Sequence, residues 1–226
     1  KLWRRRMRIL TEAIVVATEV TKALAERGGR AADSGVSLPF LGSMAALAGD
    51  GDHVDIGALY GASAITVALV KKRLGLKGDV YCIDPYDAET RDRRVVGTGL
   101  SSPVSATKEE LLKNAEFFGV ELKLIQKLSH PWPEELKDNV FATAYIDGDH
   151  SGEGPMNDFL NLRGRVTDYI GTDNMEEEYP DVVRMVLFAA AQDDWQLFYK
   201  NFIFVALRKT LPSRGLSAGN YNPGEI

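Results

Sequence analysis

The residues able to do chemistry gather in two acidic segments. Asp147, Asp149 and His150 follow an apolar run in Ala144-Tyr145-Ile146-Asp147-Gly148-Asp149-His150, and Asp173-Asn174 close a second run that begins at Asp168. If the two runs are neighbouring parallel strands, Asp147, Asp173 and Asn174 meet at one sheet edge. There they offer three oxygen ligands to a hard divalent cation. Upstream, Val54-Asp55-Ile56-Gly57-Ala58-Leu59-Tyr60-Gly61-Ala62-Ser63 reads as a strand that breaks at glycines and opens a helix. Gly57 and Gly61 let the backbone approach a ligand, and the helix after Gly61 aims free N–H groups at it. The spacing differs from the Gly-x-Gly-x-x-Gly fingerprint, which argues against pyrophosphate. Together the segments point to an enzyme that holds a nucleoside cofactor beside a metal.

These residues need a scaffold. From His53 onward, strand and helix patterns alternate, which indicates an α/β fold with a parallel sheet. Strands are predicted at about 53–57, 79–84, 122–127, 141–147 and 168–172, and helices at about 61–75, 106–118, 155–163 and 180–191. Trp195–Lys200 and Phe202–Leu207 are two strand-like runs separated by Asn201 alone, too close for a helical crossover, so an antiparallel pair is expected at one end of the sheet. Ahead of the sheet, a helix is predicted from Met7 to Arg27, ended by Gly28-Gly29, and a second apolar stretch runs from Leu38, next to Pro39, to Ala48. The expected division is an N-terminal helical cap over 1–50 and a ligand-binding domain over 51–226. Asp87 to Ser105 has no period; its Arg91, Arg93 and Arg94 could grip an anionic substrate or simply be solvated.

Composition narrows the function. A chain of 226 residues can bury a sizeable core, and its net charge of −5 argues against a nucleic-acid binder that relies on broad phosphate neutralisation. No stretch is long and apolar enough for a membrane span. Cys82 is the only cysteine, so intrachain disulfides and multi-cysteine zinc sites are excluded, and a cytoplasmic setting is the expectation. The amphipathic first helix could cover its own core or a neighbour's pocket, which leaves room for a homo-oligomer.

The strand Tyr81-Cys82-Ile83-Asp84 ends in a carboxylate that can accept both hydroxyl hydrogens of a ribose, or cap a turn. With that acid in place, the order Asp55–Ser63, Asp84, Leu128-Ser129-His130, Asp147 and Asp173-Asn174 resembles the class I S-adenosylmethionine-dependent methyltransferases. The likeness is closer to the metal-dependent small-molecule O-methyltransferases of the catechol and caffeoyl-coenzyme A types. Ile146-Asp147-Gly148-Asp149-His150-Ser151 followed by Asp158 is also similar to a bacterial group with Asp-Gly-x-His at this strand end. The resemblance implies a Rossmann-like, doubly wound, mostly parallel seven-stranded sheet with a C-terminal antiparallel pair and N-terminal helices.

It further implies S-adenosylmethionine as cofactor, a divalent cation such as Mg²⁺ on Asp147, Asp173 and Asn174, and a small hydroxylated acceptor. Gly57, Tyr60 and Gly61 would line the methionine end, with Asp55 near its amino group and Ser63 near its carboxylate. Asp84 would bind the ribose, and Ser129 and His130 the adenine, with Asp147 closing the cofactor pocket as well as holding the ion. His150 stands where the catechol type has a lysine base, and is either the base or a structural imidazole. Asp149 is the second candidate, as base or as a group that orients the ligands. The rival readings are a metal-dependent hydroxylase or sugar transferase on a related sheet, and a cofactor-binding module without catalysis.

Overall fold

The computed structural model describes residues 2–27, 34–86, 107–201 and 203–210. Helices α1 (Leu2–Glu26) and α2 (Ser34–Ala48) lead into β1 (Asp52–Ile56), α3 (Ala62–Leu74) and β2 (Val80–Ile83). There follow α4 (Lys108–Phe118), β3 (Lys123–Ile125), a 3₁₀ turn (Glu134–Leu136), β4 (Phe141–Ile146), α5 (Gly154–Leu162), β5 (Val166–Thr172), α6 (Pro180–Ala190), β6 (Trp195–Lys200) and β7 (Val205–Lys209).

Among the described residues the strands form one seven-stranded sheet in the order β3-β2-β1-β4-β5-β7-β6. Pairing is parallel from β3 through β5, and β7 runs antiparallel to both β5 and β6. The chain winds outward in both directions from the β1/β4 pair. The crevice beyond the carboxyl ends of those two strands is the place where such sheets bind ligands.

Local chemistry sets the elements. The central strand β4 is buried along its whole length, as expected for a strand covered on both faces. Helix α3 stops at Gly75, whose left-handed backbone returns its N–H to the carbonyls of Lys71 and Lys72. Helix α4 starts at a reciprocal cap, in which Thr107 accepts from the Glu110 N–H and the Glu110 carboxylate accepts from the Thr107 N–H. One core cluster joins α1, α2, α3 and α4 on one face of the sheet; a second joins α5 and α6 on the other. At the far end of the strands, buried His53 bonds Thr143 through Nδ1 (2.8 Å), and Lys71 bonds the Gly51 carbonyl (2.7 Å).

The expected fold class is observed, with shifted boundaries. Helix α1 begins at Leu2, and α2 begins at Ser34 with Pro39 inside it. Pro39 falls past the first turn, where it removes one helical hydrogen bond, and the helix is held by its packing against α1, α3 and the sheet. Strand β7 begins at Val205, three residues later than predicted, because Asn201 closes the hairpin by accepting the Ile203 and Phe204 N–H groups through Oδ1. The readings made for Gly28-Gly29, for the 87–105 arginines and for Phe202 lie outside the described residues. No helix of the described residues is long and apolar enough to cross a membrane.

Candidate functional site

The site is built at the crevice from the ends of β1, β2, β4 and β5. After β1 the backbone turns through Gly57 (φ 89°) and Gly61 (φ 88°), both in the left-handed region that glycine adopts at no steric cost. Gly57 has a second reason to be glycine. A Cβ there would lie 2.1 Å from the Asp147 carbonyl oxygen, so the ends of β1 and β4 touch backbone to backbone. The Asp147 N–H closes that contact on the Ile56 carbonyl at 2.9 Å.

Two carboxylates flank the turn. Asp84 accepts the Leu59 N–H through Oδ2 (3.0 Å) and the Tyr86 N–H through Oδ1 (2.9 Å), and each oxygen retains a lone pair for a ligand hydroxyl. The Tyr86 hydroxyl donates to the Leu59 carbonyl at 2.6 Å and braces the same turn. Asp55 is fully buried, and neither of its oxygens has a hydrogen-bond partner of normal geometry, although Ser63 and the Ala64 amide are its polar neighbours in the first turn of α3. Burial, with smaller contributions from the charges of Asp147 and Asp84, pushes its pKa up to about 7.

On the β4/β5 side, Asp147 and Asp173 stand just beyond neighbouring strand ends. Oδ2 of Asp173 accepts two hydroxyls, Tyr145 and Ser37, each at 3.1 Å, and Oδ1 accepts the Asn174 N–H at 3.0 Å. Asp173 is buried, and burial, followed by the charge of Asp147, raises its pKa to about 6. His150 approaches Asp147 with Nε2 3.1 Å from Oδ1, and its ring meets Tyr179 edge-on at 5.3 Å. Burial works against the imidazolium, but the Asp147 hydrogen bond and the charges of Asp147, Asp149 and Asp173 outweigh it and raise the pKa above its ordinary value. Oδ1 of Asp149 accepts both the Ser151 N–H (3.1 Å) and the Ser151 hydroxyl (2.9 Å) and shapes the turn.

The methyltransferase-domain family matches residues 54–169, just over half of the chain. The chain belongs to that family. Membership selects methyl transfer over the hydroxylase and sugar-transferase readings. No match was found among curated protein sequences. Solved structures similar to this methyltransferase agree on the fold. A Klebsiella pneumoniae protein provisionally described as an O-methyltransferase superposes with a TM-score of 0.64 at 16% identity, covering 87% of this chain and 90% of that one. The Bacillus cereus O-methyltransferase in complex with SAH gives 0.59 at 17%, covering 87% and 91%. TomG of Streptomyces achromogenes, in complex with SAM, gives 0.55 at 14%, covering 86% and 89%.

The other sequence-derived site residues follow β3. Ser129 is half-buried, with its carbonyl accepting from Asn161 at 3.2 Å, and His130 beside it is exposed. Trp132, close behind them in the chain, bonds the Leu136 carbonyl (3.1 Å) and packs edge-on against Phe141. Among the described residues no three or more His, Cys, Asp or Glu side chains form a group that could hold a metal ion; the Asp147, Asp173 and Asn174 set has only two carboxylates and an amide. Ser37 and Tyr145 are the site residues that sequence reasoning missed. Ser37 had no motif, and Tyr145 read as core; only its place two residues before Asp147, on the same strand face, could have marked it.

Proposed function

We propose that this methyltransferase moves a methyl group from S-adenosylmethionine to a hydroxyl oxygen of a small molecule. The observation that carries the reading is Asp55, a buried carboxylate with no hydrogen-bond partner of normal geometry, set beside a glycine turn and a second acid, Asp84. A ligand with an ammonium group at one end and a ribose at the other satisfies both acids at once. Gly57, Tyr60 and Gly61 then carry the methionine end, Ser63 its carboxylate, and Ser129 and His130 the adenine. The neighbours solved with SAH or SAM support the same ligand.

Methyl transfer from a sulfonium is an in-line displacement, so the chain must hold the acceptor oxygen near the methyl carbon and take its proton. His150 is placed for the second task. With Nε2–H donated to Asp147, Nδ1 keeps its lone pair and becomes more basic through the neighbouring carboxylates. Asp149, whose Oδ1 is taken by the Ser151 turn, is the second candidate, as base or as a group that orients the site.

A divalent cation fits the acidic end on one ground: the charge of Asp147 raises the pKa of Asp173, a repulsion that a bound dication relieves. Asp147, Asp173 and Asn174 would hold it, with Asp173 limited to Oδ1 because Oδ2 already accepts two hydroxyls. When bound, such an ion orients the acceptor oxygen and lowers its pKa. Helices α1 and α2 act as a cap on the acceptor side, since Ser37 reaches Asp173 from α2.

Calorimetric titration with S-adenosylhomocysteine tests the cofactor, and transfer of radiolabelled methyl to a panel of catechols and other hydroxylated compounds, with Mg²⁺ or with EDTA, tests the reaction. Saturable binding and Mg²⁺-dependent transfer are expected. Absence of binding by folded protein rejects the reading, and transfer indifferent to EDTA rejects the cation.

A further inference from the structure

Asn114 lies in α4, outside the site described above, and is only 6% exposed. Both ends of its amide are engaged. Nδ2 donates to the Tyr60 carbonyl at 3.1 Å, and Oδ1 accepts from Nε of Arg27 at 3.2 Å. Arg27 follows directly on α1, and its guanidinium lies over the Phe117 ring at 4.7 Å. One buried side chain therefore joins the end of the first helix, the fourth helix and the glycine turn.

The carbonyl that Asn114 holds is in a sensitive place. The Tyr60 carbonyl and the Gly61 N–H belong to one peptide plane, and Gly61 is the left-handed N-cap of α3, with no side-chain cap of its own. The Gly61 N–H is fixed on the Ala58 carbonyl at 2.7 Å, so Asn114 and Ala58 grip the plane from its two edges. On the Asn114 side there is open space: Arg27, Tyr60, Glu110, Lys113 and Asn114 line a cavity of about 330 Å³. Without the amide, the plane has no hold on that flank. The free N–H groups of the first turn of α3 are aimed by the same plane.

We propose that Asn114 is a positioning residue of the cofactor site, setting the Tyr60–Gly61 peptide so that the start of α3 meets the amino-acid end of the cofactor, and that Arg27 locks Asn114 in that orientation. The inference rests on the reading that the turn carries the methionine end. It has a specific consequence. Asn114 matters for ligands that bear the amino-acid tail and not for the nucleoside part, which lies against other strands.

The test is calorimetric titration of S-adenosylhomocysteine, and of 5′-methylthioadenosine, which lacks the tail, into wild type, Asn114→Leu, Arg27→Ala and the double variant. Asn114→Leu is expected to weaken S-adenosylhomocysteine about tenfold and to leave methylthioadenosine within about twofold. Arg27→Ala is expected to weaken the former about threefold, with a double variant no worse than Asn114→Leu alone. Equal affinity of wild type and Asn114→Leu for S-adenosylhomocysteine overturns the proposal, as does an equal loss for both ligands, which marks general loosening. If Asn114→Leu does not fold, the exposed Arg27→Ala decides by the same ligand comparison. Wild type that binds neither ligand instead rejects the cofactor reading itself.

Discussion

Ser37 and Asp173 are 136 positions apart in the chain, yet the Ser37 hydroxyl donates to Oδ2 of Asp173 at 3.1 Å. Tyr145 donates to the same oxygen, and its own pKa, pushed well above the usual value by burial and by the acids around it, keeps the phenol protonated. Both donors stabilise the carboxylate form. Tyr145→Phe should therefore cost about 1–2 kcal/mol at pH 8, where Asp173 is ionised, and clearly less at pH 5, where it is protonated. Urea denaturation at the two pH values checks this; an equal cost at both would show that the phenol supports packing alone.

Asp55 makes stability depend on pH in an unusual direction. Its folded pKa of about 7 lies above the ordinary 3.8, so between those values the folded state binds the proton more tightly. Stability contributed by the neutral acid is complete at low pH and falls as pH rises through the window. Asp55→Asn should flatten the decline between pH 4 and 7, by up to about 4 kcal/mol. Chemical denaturation across that range measures the difference, and parallel profiles would contradict the assignment. A cationic amino group binding beside Asp55 pulls its pKa down, so S-adenosylhomocysteine should release a proton at pH 6. Calorimetry in buffers of different ionisation enthalpy reads that proton.

Gly57 and Gly75 both have positive φ, but only Gly57 faces backbone within 4 Å. Gly57→Ala must push the Asp147 carbonyl away and separate β1 from β4, at a cost of at least about 4 kcal/mol. Gly75→Ala meets open space and should cost only about 1 kcal/mol, from its left-handed backbone. Thermal unfolding of the two variants compares them directly, and similar losses would mean that the close approach is not what requires glycine.

His150→Gln keeps hydrogen-bonding ability while removing the titrating nitrogen. With the wild type, kcat/KM should rise with pH through a value above 6.5, because the raised imidazole pKa must be passed before the base is free. The variant should lose about a hundredfold in rate and that limb of the profile together. Unchanged turnover across pH would make His150 a structural partner of Asp147.

Much of this molecule is legible in its residue order. Apolar runs alternating with helical periods dictate the α/β class, and strand-end acids at Asp84, Asp147 and Asp173 mark the functional edge, because parallel sheets collect ligand groups at the carboxyl ends of their strands. The glycines at 57 and 61 also announce a turn, since few other residues accept that backbone. What the order of residues does not carry is contact between distant segments. That Gly57 is required by the Asp147 carbonyl, that Ser37 of α2 reaches Asp173, and that Asn114 reaches the Tyr60 carbonyl each depend on how the helices dock. Docking also decides protonation. Asp55 and Asp84 are both strand-associated acids in the sequence, and only the packing leaves Asp55 buried without a hydrogen-bond partner of normal geometry, pushed up to about 7, while Asp84 accepts two backbone N–H groups. Periodicity and turn chemistry are local properties, whereas solvation and hydrogen-bond partnership are set by the packed whole.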